Sequence, residues 1–182
     1  LSCIPGSIGG AIRMNSGCYD YDISKCIDSI QAIDRSGIVR IIKSETINFF
    51  YRGSDLSDDL IFLSGTFKGE KQDSKKIKEK MEKLSTLKKK SQPSRIKTCG
   101  STFKNPTSQT QKKAWELIKE SQCENMKIGG ASISEKHSNF FVNQGSATSN
   151  DMENLINLVR KKVFDTTGIK LELELQIIGE KK

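Results

Sequence analysis

The chain has 182 residues, enough to bury a core without disulfide staples, and 35% hydrophobic with 29% charged residues argues against wholesale disorder. No apolar run approaches the length of a membrane-spanning helix, and Leu1–Ala11 lacks the basic start of a signal peptide. The net charge of +8 belongs to one segment, because residues 68–97 carry twelve Lys or Arg against four Asp or Glu and the remainder is balanced.

The first residue is Leu, and a Pro-Gly turn follows at Pro5-Gly6. The chain therefore reads as one that begins mid-domain, with something upstream absent. Residues 1–20 are rich in glycine and small side chains. Ile27–Ile33 alternates apolar and polar residues, Ile38–Ile42 is apolar, and Asp34-Arg35-Ser36-Gly37 between them predicts a hairpin. Leu60–Thr66 predicts a further strand. Ser74–Lys89 predicts a helix with Ile77, Met81, Leu84 and Leu87 on one apolar stripe and its lysines solvated. Ser91–Pro106 reads as a loop.

Gln111–Ser121 predicts a helix with Trp115 and Ile118 inward, and short strands are predicted at Ile128–Ile133 and Asn139–Asn143. Asn150–Asp165 is the clearest helix. Asn150 and Glu153 fit a capping box, Met152, Leu155, Ile156, Val159 and Val163 form the inner face, and Gly168 ends it. Ile169–Ile178 alternates and predicts a closing strand. Strands and helices mix without regular βα alternation, which gives an α+β fold.

Two features point toward ligands without deciding between them. Consecutive glycines at Pro5–Ala11 let backbone amides approach an anion such as a diphosphate, but they serve a tight turn equally well. The basic segment suits a polyanion or RNA, yet Ser74–Arg95 has no aromatic residue for base stacking. The five cysteines, Cys3, Cys18, Cys26, Cys99 and Cys123, are odd in number and form no CxxC pair. That pattern supports neither a disulfide framework nor a zinc or other metal site, and reads as reduced thiols in a cytoplasm. His137, the lone histidine, is read as a packing or capping residue rather than an acid–base catalyst.

Several segments together resemble one family. Ile4-Pro5-Gly6-Ser7-Ile8-Gly9-Gly10-Ala11, followed by Met14-Asn15-Ser16-Gly17, resembles the flavin-binding stretch of the UDP-N-acetylenolpyruvoylglucosamine reductase (MurB) family. Tyr51-Arg52-Gly53-Ser54, Gln92-Pro93 and Gly100-Ser101-Thr102-Phe103-Lys104-Asn105-Pro106 resemble its later signatures. Gly129-Gly130-Ala131, Ser134–Phe140 and Leu171–Gly179 resemble its C-terminal domain and closing strand. The sequence departs from the family pattern at Cys18, Asp20 and Gln176.

The resemblance implies the C-terminal part of an FAD-binding domain at 1–90 and a substrate-binding domain at 91–182, whose last strand (about 170–179) returns to the active site. It implies an enzyme of peptidoglycan precursor synthesis in the cytoplasm. NADPH reduces FAD, and the reduced flavin converts UDP-N-acetylglucosamine-enolpyruvate to UDP-N-acetylmuramate. Pro5, Gly6, Ser7, Ile8, Gly9, Gly10, Ala11, Asn15 and Gly17 would then contact the cofactor. Arg52 and Glu174 would support the enol intermediate and Ser101 would protonate it. Tyr51 and Asn105 would contact substrate, with Lys88 and Lys89 near its diphosphate.

The roles suit the residue types. Arg offers a fixed cation and a bidentate fork, and a serine hydroxyl serves as an acid when a charged network holds it. The family's upstream Gly-x-Gly-Ser-Asn segment is not present, so the expectation is that this polypeptide alone binds FAD weakly or not at all. The alternatives are a polyanion- or RNA-binding module and an inactive fragment of a split gene.

Overall fold

In the computed structural model, which describes residues 4–94 and 96–179, the hairpin around Asp34 organises the first part of the chain. The Asp34 carboxylate accepts from the amides of Ser36 (3.0 Å) and Ile38 (3.1 Å) and pairs with the Arg40 guanidinium at 3.0 Å. Gly37 takes φ +84°. A short acidic side chain and a glycine thus close the loop with local bonds alone.

The elements of this part are α1 (Ile8–Arg13), β1 (Gly17–Cys18), β2 (Tyr21–Asp22), β3 (Ile27–Ile33), β4 (Val39–Lys43), β5 (Phe49–Phe50), β6 (Gly53–Ser54) and β7 (Ile61–Phe67). β3 lies between β4 and β7 in an antiparallel sheet, and α1 packs on β7. The core is Ile12, Ile23, Ile27, Ile30, Ala32 and Ile47. β1–β2 and β5–β6 are two further small hairpins.

A long helix, α2 (Ser74–Ser91), follows, and the chain divides into two units within it, between Ser85 and Thr86. The predicted helix forms, but its apolar stripe is not covered. None of its residues is buried, and Ile77, Met81 and Leu87 are exposed. Asp73 caps it, its carboxylate accepting from the amides of Lys75 and Lys76, and Lys88, Lys89 and Lys90 complement the negative C-terminal end. Helix chemistry and charge placement, rather than a buried face, define this element.

The second unit contains β8 (Lys97–Ser101), α3 (Ala114–Glu120), β9 (Lys127–Ile128), β10 (Ala131–Ser134), β11 (His137–Asn143) and α4 (Ser149–Thr167). The sheet order is β8-β11-β10-β9, all antiparallel. α3 packs on β11, and α4 on β9 and β10. Phe103, Leu117, Ile118, Phe141, Leu155 and Val159 are among the residues that fill the core between them. Both units mix helix and antiparallel strand, so the α+β class holds.

Five expectations change in this unit, the first being that the strand read at Ile128–Ile133 is split by a turn at Gly129-Gly130 into β9 and β10. The loop read at 91–106 contains strand β8. α3 starts at Ala114 and turns Ala114, Leu117 and Ile118 inward, leaving Trp115 half-buried. The α4 cap is Thr148, two residues before Asn150. Its hydroxyl accepts from the Asp151 amide at 3.1 Å while the Asp151 carboxylate accepts from the Thr148 amide at 2.9 Å.

The closing segment is also not a strand. Among the described residues it makes one bridge, Phe103 to Leu173. Leu171, Leu173 and Leu175 do pack on the core, as the alternation implies, but Ile178 is 91% exposed. Gly168 ends α4 at φ +72°, as predicted. Cys18, Cys26, Cys99 and Cys123 are free thiols, and burial raises the Cys26 and Cys123 pKa values. Cys3 lies outside the described residues.

Candidate active-site residues

In the first unit the glycine-rich start forms a turn that runs into α1. Ser7 caps the helix, its hydroxyl accepting from the Gly10 amide at 3.1 Å. Gly6 takes φ +138°, a conformation closed to most side chains. A cavity of about 490 Å³ opens here, lined by Pro5, Gly6, Ser7, Ile8, Gly10 and Ala11 among others. Met14, Ser16, Ile23 and Phe67 complete much of its wall, so it is mostly apolar with a few hydroxyls.

Gly9, Asn15 and Gly17 have other surroundings. A Cβ on Gly9 would lie 3.8 Å from Phe62, on the β7 side of the helix. Asn15 is buried at φ +39°, donates from Nδ2 to the Phe50 carbonyl at 3.1 Å and accepts at Oδ1 from the Ser24 amide at 3.0 Å. It fastens the end of α1 to the β5–β6 hairpin. Gly17 faces β2 so closely that a Cβ would stand 2.6 Å from Asp22 Cβ.

Tyr51 and Arg52 are the two turn residues of the β5–β6 hairpin. Arg52 sits at φ +59°, an uncommon conformation for a residue with a long side chain. Its guanidinium lies 4.8 Å from the Tyr51 ring centroid and donates to the Gly17 carbonyl at 3.4 Å. The first unit therefore brings the Met14–Gly17 stretch and the Tyr51–Arg52 turn together, through Asn15 to Phe50 and Arg52 to Gly17.

In the second unit, Ser101 ends β8 opposite Phe140. Just before it, Cys99 and Gly100 oppose the single residue Phe141, a β-bulge with Gly100 at φ +85°. A bulge re-aims the side chains that follow it. The next residues are gripped on both sides. The Thr102 amide donates to the Asn139 carbonyl (2.8 Å), the Glu174 amide to the Thr102 carbonyl (2.9 Å), and the Lys104 amide to the Glu172 carbonyl (2.9 Å). Ser101 and Glu174, more than seventy positions apart, thus adjoin one backbone junction. Asn105 Oδ1 accepts from the Ala114 amide at 3.0 Å and so anchors the start of α3.

Lys88 and Lys89 lie in the last turn of α2, where the Lys136 ammonium donates to the Lys89 carbonyl at 3.4 Å. His137 is half-buried between Trp115 and Phe140, with ring centroids at 6.4 and 4.8 Å. Burial lowers its pKa below the ordinary value, and Lys119 adds to the lowering. Its Nδ1 accepts from the Asn139 amide at 3.2 Å. Packing and main-chain bonding account for it.

The motif Gly129-Gly130-Ala131 has a packing reason. A Cβ on Gly129 would meet the Asp151 carboxylate at 2.6 Å, and one on Gly130 the Ala147 nitrogen at 2.3 Å. Composition and spacing assign no role to Asn139. The available signal is an amide beside the apolar run Phe140-Phe141-Val142, because a buried polar group must find partners.

Residues 92–178 match the model for the UDP-N-acetylenolpyruvoylglucosamine reductase C-terminal domain. The UDP-N-acetylenolpyruvoylglucosamine reductase of Pelagibacter ubique is 48% identical over 178 residues, covering 98% of this chain and 59% of its own length. This chain belongs to the MurB family. The reductase of Rickettsia typhi is 44% identical over 177 residues, covering 97% of this chain and 59% of the relative. The crystal structure of the MurB protein from Thermus caldophilus superimposes with a TM-score of 0.82 at 30% identity, covering 95% of this chain and 60% of that one.

The chain thus spans about three fifths of the length of the MurB relatives it matches. Membership supports an oxidoreductase family of peptidoglycan synthesis. The polyanion-module reading of the basic segment gains nothing from these matches. Among the described residues no helix is long and apolar enough to cross a membrane.

Proposed function

We propose that this chain serves the reduction of UDP-N-acetylglucosamine-enolpyruvate to UDP-N-acetylmuramate, with FAD as cofactor and NADPH as reductant. Residues 1–90 contribute to flavin binding, and 91–182 bind and protonate the sugar nucleotide. The observation that carries this reading is the junction at Ser101: a bulged strand end, a doubly held neighbour and the Glu174 backbone meet there.

The cavity beside α1 fits the flavin assignment. Its volume of about 490 Å³ lies within the range of small-molecule sites. Its wall of Ile, Met and Phe side chains and glycine backbone suits a flat aromatic heterocycle, with the Ser7 and Ser16 hydroxyls at its border. FAD, when bound, supplies hydride to the vinyl carbon of the substrate.

The remaining work falls to this chain's residues. Hydride addition to the terminal vinyl carbon leaves negative charge shared between the adjacent carbon and its carboxylate. Arg52 balances that charge with a guanidinium whose orientation is set by Tyr51 and the Gly17 carbonyl. Ser101 gives its hydroxyl proton to the adjacent carbon, completing reduction of the C=C bond. Glu174, held by its amide to Thr102, polarises that region. Tyr51 and Asn105 orient the sugar nucleotide, and Lys88 and Lys89 meet its diphosphate as point charges.

The test separates the two half-reactions in the complete gene product. Ser101→Ala leaves flavin reduction by NADPH unchanged and slows reoxidation by the enolpyruvyl substrate by about 10²-fold or more. Equal slowing of both half-reactions, or of neither, overturns the assignment of Ser101.

A further inference from the structure

Asn139 spends three of its four hydrogen-bonding groups on one dipeptide, Thr102–Phe103. Its Oδ1 accepts from the Phe103 amide at 3.0 Å and its Nδ2 donates to the Phe103 carbonyl at 2.8 Å. Its main-chain carbonyl accepts from the Thr102 amide at 2.8 Å, and its own amide donates to His137 Nδ1 at 3.2 Å. The residue is 4% exposed, while Thr102 and Phe103 are each 1% exposed. The carboxamide does what the main chain of a neighbouring strand would do.

The sheet makes room for this. β10 and β11 pair regularly up to Ile133–Phe141, and then the register jumps to Ser134–His137. Ser138, Asn139 and Phe140 are thereby released from β10. Ser138 uses its hydroxyl on the Trp115 carbonyl at 2.8 Å, and Asn139 turns to Thr102–Phe103. On the far side the same dipeptide is held by the Glu174 amide and the Phe103–Leu173 bridge.

We propose that Asn139 is the positioning residue for Ser101: by locking Thr102–Phe103 against the 172–174 segment, it fixes the direction of the Ser101 hydroxyl and its place beside Glu174. The proposal rests on the role given to Ser101 above only for its effect on turnover. Its effect on geometry stands apart from that role. Gly100 at φ +85° lets the strand end turn on the N-terminal side of Ser101. The hold on the C-terminal side, where Asn139 acts, adds to the pairing of Ser101 with Phe140.

Two variants test it. Asn139→Leu keeps the γ-branched shape but leaves the Phe103 amide and carbonyl without the Asn139 carboxamide. Asn139→Asp restores both bonds only when protonated, since a carboxylic acid accepts at one oxygen and donates from the other, whereas a carboxylate opposes the Phe103 carbonyl. The titrating neighbour is His137, with Lys119 beside it, so each rate is divided by the wild-type rate at the same pH.

In the complete gene product, well below the melting temperature, Asn139→Leu lowers kcat about 10²-fold at every pH and leaves KM within about threefold. Asn139→Asp is equally slow at pH 8 and recovers at least tenfold, relative to wild type, as the pH falls to 5.5. Unchanged kcat in Asn139→Leu, or no recovery of Asn139→Asp at low pH, overturns the proposal. NMR supplies the readout that needs no turnover. The side-chain couplings of Ser101 report one rotamer in the wild-type chain and averaging in Asn139→Leu, with faster exchange of the Thr102, Phe103 and Glu174 amides. A single Ser101 rotamer in both proteins refutes the proposal whatever the activity. An inactive wild-type protein whose couplings change as stated refutes the function and leaves the positioning intact.

Discussion

Replacing Gly130 by alanine tests the tightest backbone approach in the second unit. The added methyl carbon would lie 2.3 Å from the Ala147 nitrogen, 2.6 Å from the Ser146 carbonyl carbon and 2.7 Å from the Ser146 hydroxyl. Two of these are main-chain atoms, so the loop entering α4 must move by about 1 Å to reach ordinary contact distance. Overpacking of this kind costs about 1–3 kcal/mol. The shift also disturbs the Thr148–Asp151 cap, where the Thr148 amide and hydroxyl, with the Gly130 amide, hold the Asp151 carboxyl below the usual range. Loss of a cap adds about 1 kcal/mol. The φ of Gly130 is not in the left-handed region, so stiffening of the unfolded chain returns about 0.4–1 kcal/mol. The net is a destabilisation of about 2 kcal/mol. The chain's single tryptophan, Trp115, reports on this unit by fluorescence. With a urea dependence of about 1–2 kcal/mol per molar, the Gly130→Ala midpoint falls by about 1–2 M. A midpoint within about 0.2 M of wild type, on a urea dependence of that order, would show that the loop yields freely and that the close approach carries no energy.

Two further changes follow from local chemistry. Thr148→Ala costs about 1 kcal/mol whereas Asn150→Ala stays within about 0.5 kcal/mol; the reverse order in urea melts would return the α4 cap to Asn150. His137 is held neutral by burial, with its pKa below the ordinary 6.5. The unfolded chain therefore takes up a proton first as pH falls. The stability from the neutral ring is complete above about 6.5 and is lost as pH drops through the lowered folded value. His137→Gln flattens that slope between pH 7.5 and 5.5, and an undiminished slope in the variant would assign it to other groups.

The parts of the fold legible in the sequence are those whose causes are local. The β3–β4 hairpin follows from Asp34 and Gly37 acting within five residues of each other. α4 follows from its apolar period, with Leu155, Ile156, Val159 and Val163 buried. Its start lies two residues before the predicted cap, Asn150, because Thr148 caps the helix instead. What decides is the carboxylate of Asp151, three residues after Thr148 and within reach of Gly130. β8 is hidden because Lys97-Thr98-Cys99-Gly100-Ser101 has no alternation and carries a bulge. The closing segment shows the converse. Its alternation is genuine, with Leu171, Leu173 and Leu175 turned to the core, but among the described residues it bridges only Phe103. The α2 stripe has helical spacing yet meets no buried surroundings, because spacing specifies a face and not what covers it. At the site, the motif resemblance picks out Ser101 and Glu174. Their shared junction arises from pairing across distant segments, which no local pattern encodes.

The same long-range grip on Thr102–Phe103 carries an entropic cost. The β10–β11 hairpin and the Thr148 cap close over a few positions and need little loop entropy. The grip instead joins residues 36 apart on one side and, on the other, waits for a segment that follows α4. Closing it costs more loop entropy than either local motif. The serine end of β8 is thus held by contacts that close only across distant parts of the chain, and its order depends on the 139 and 172–174 segments together.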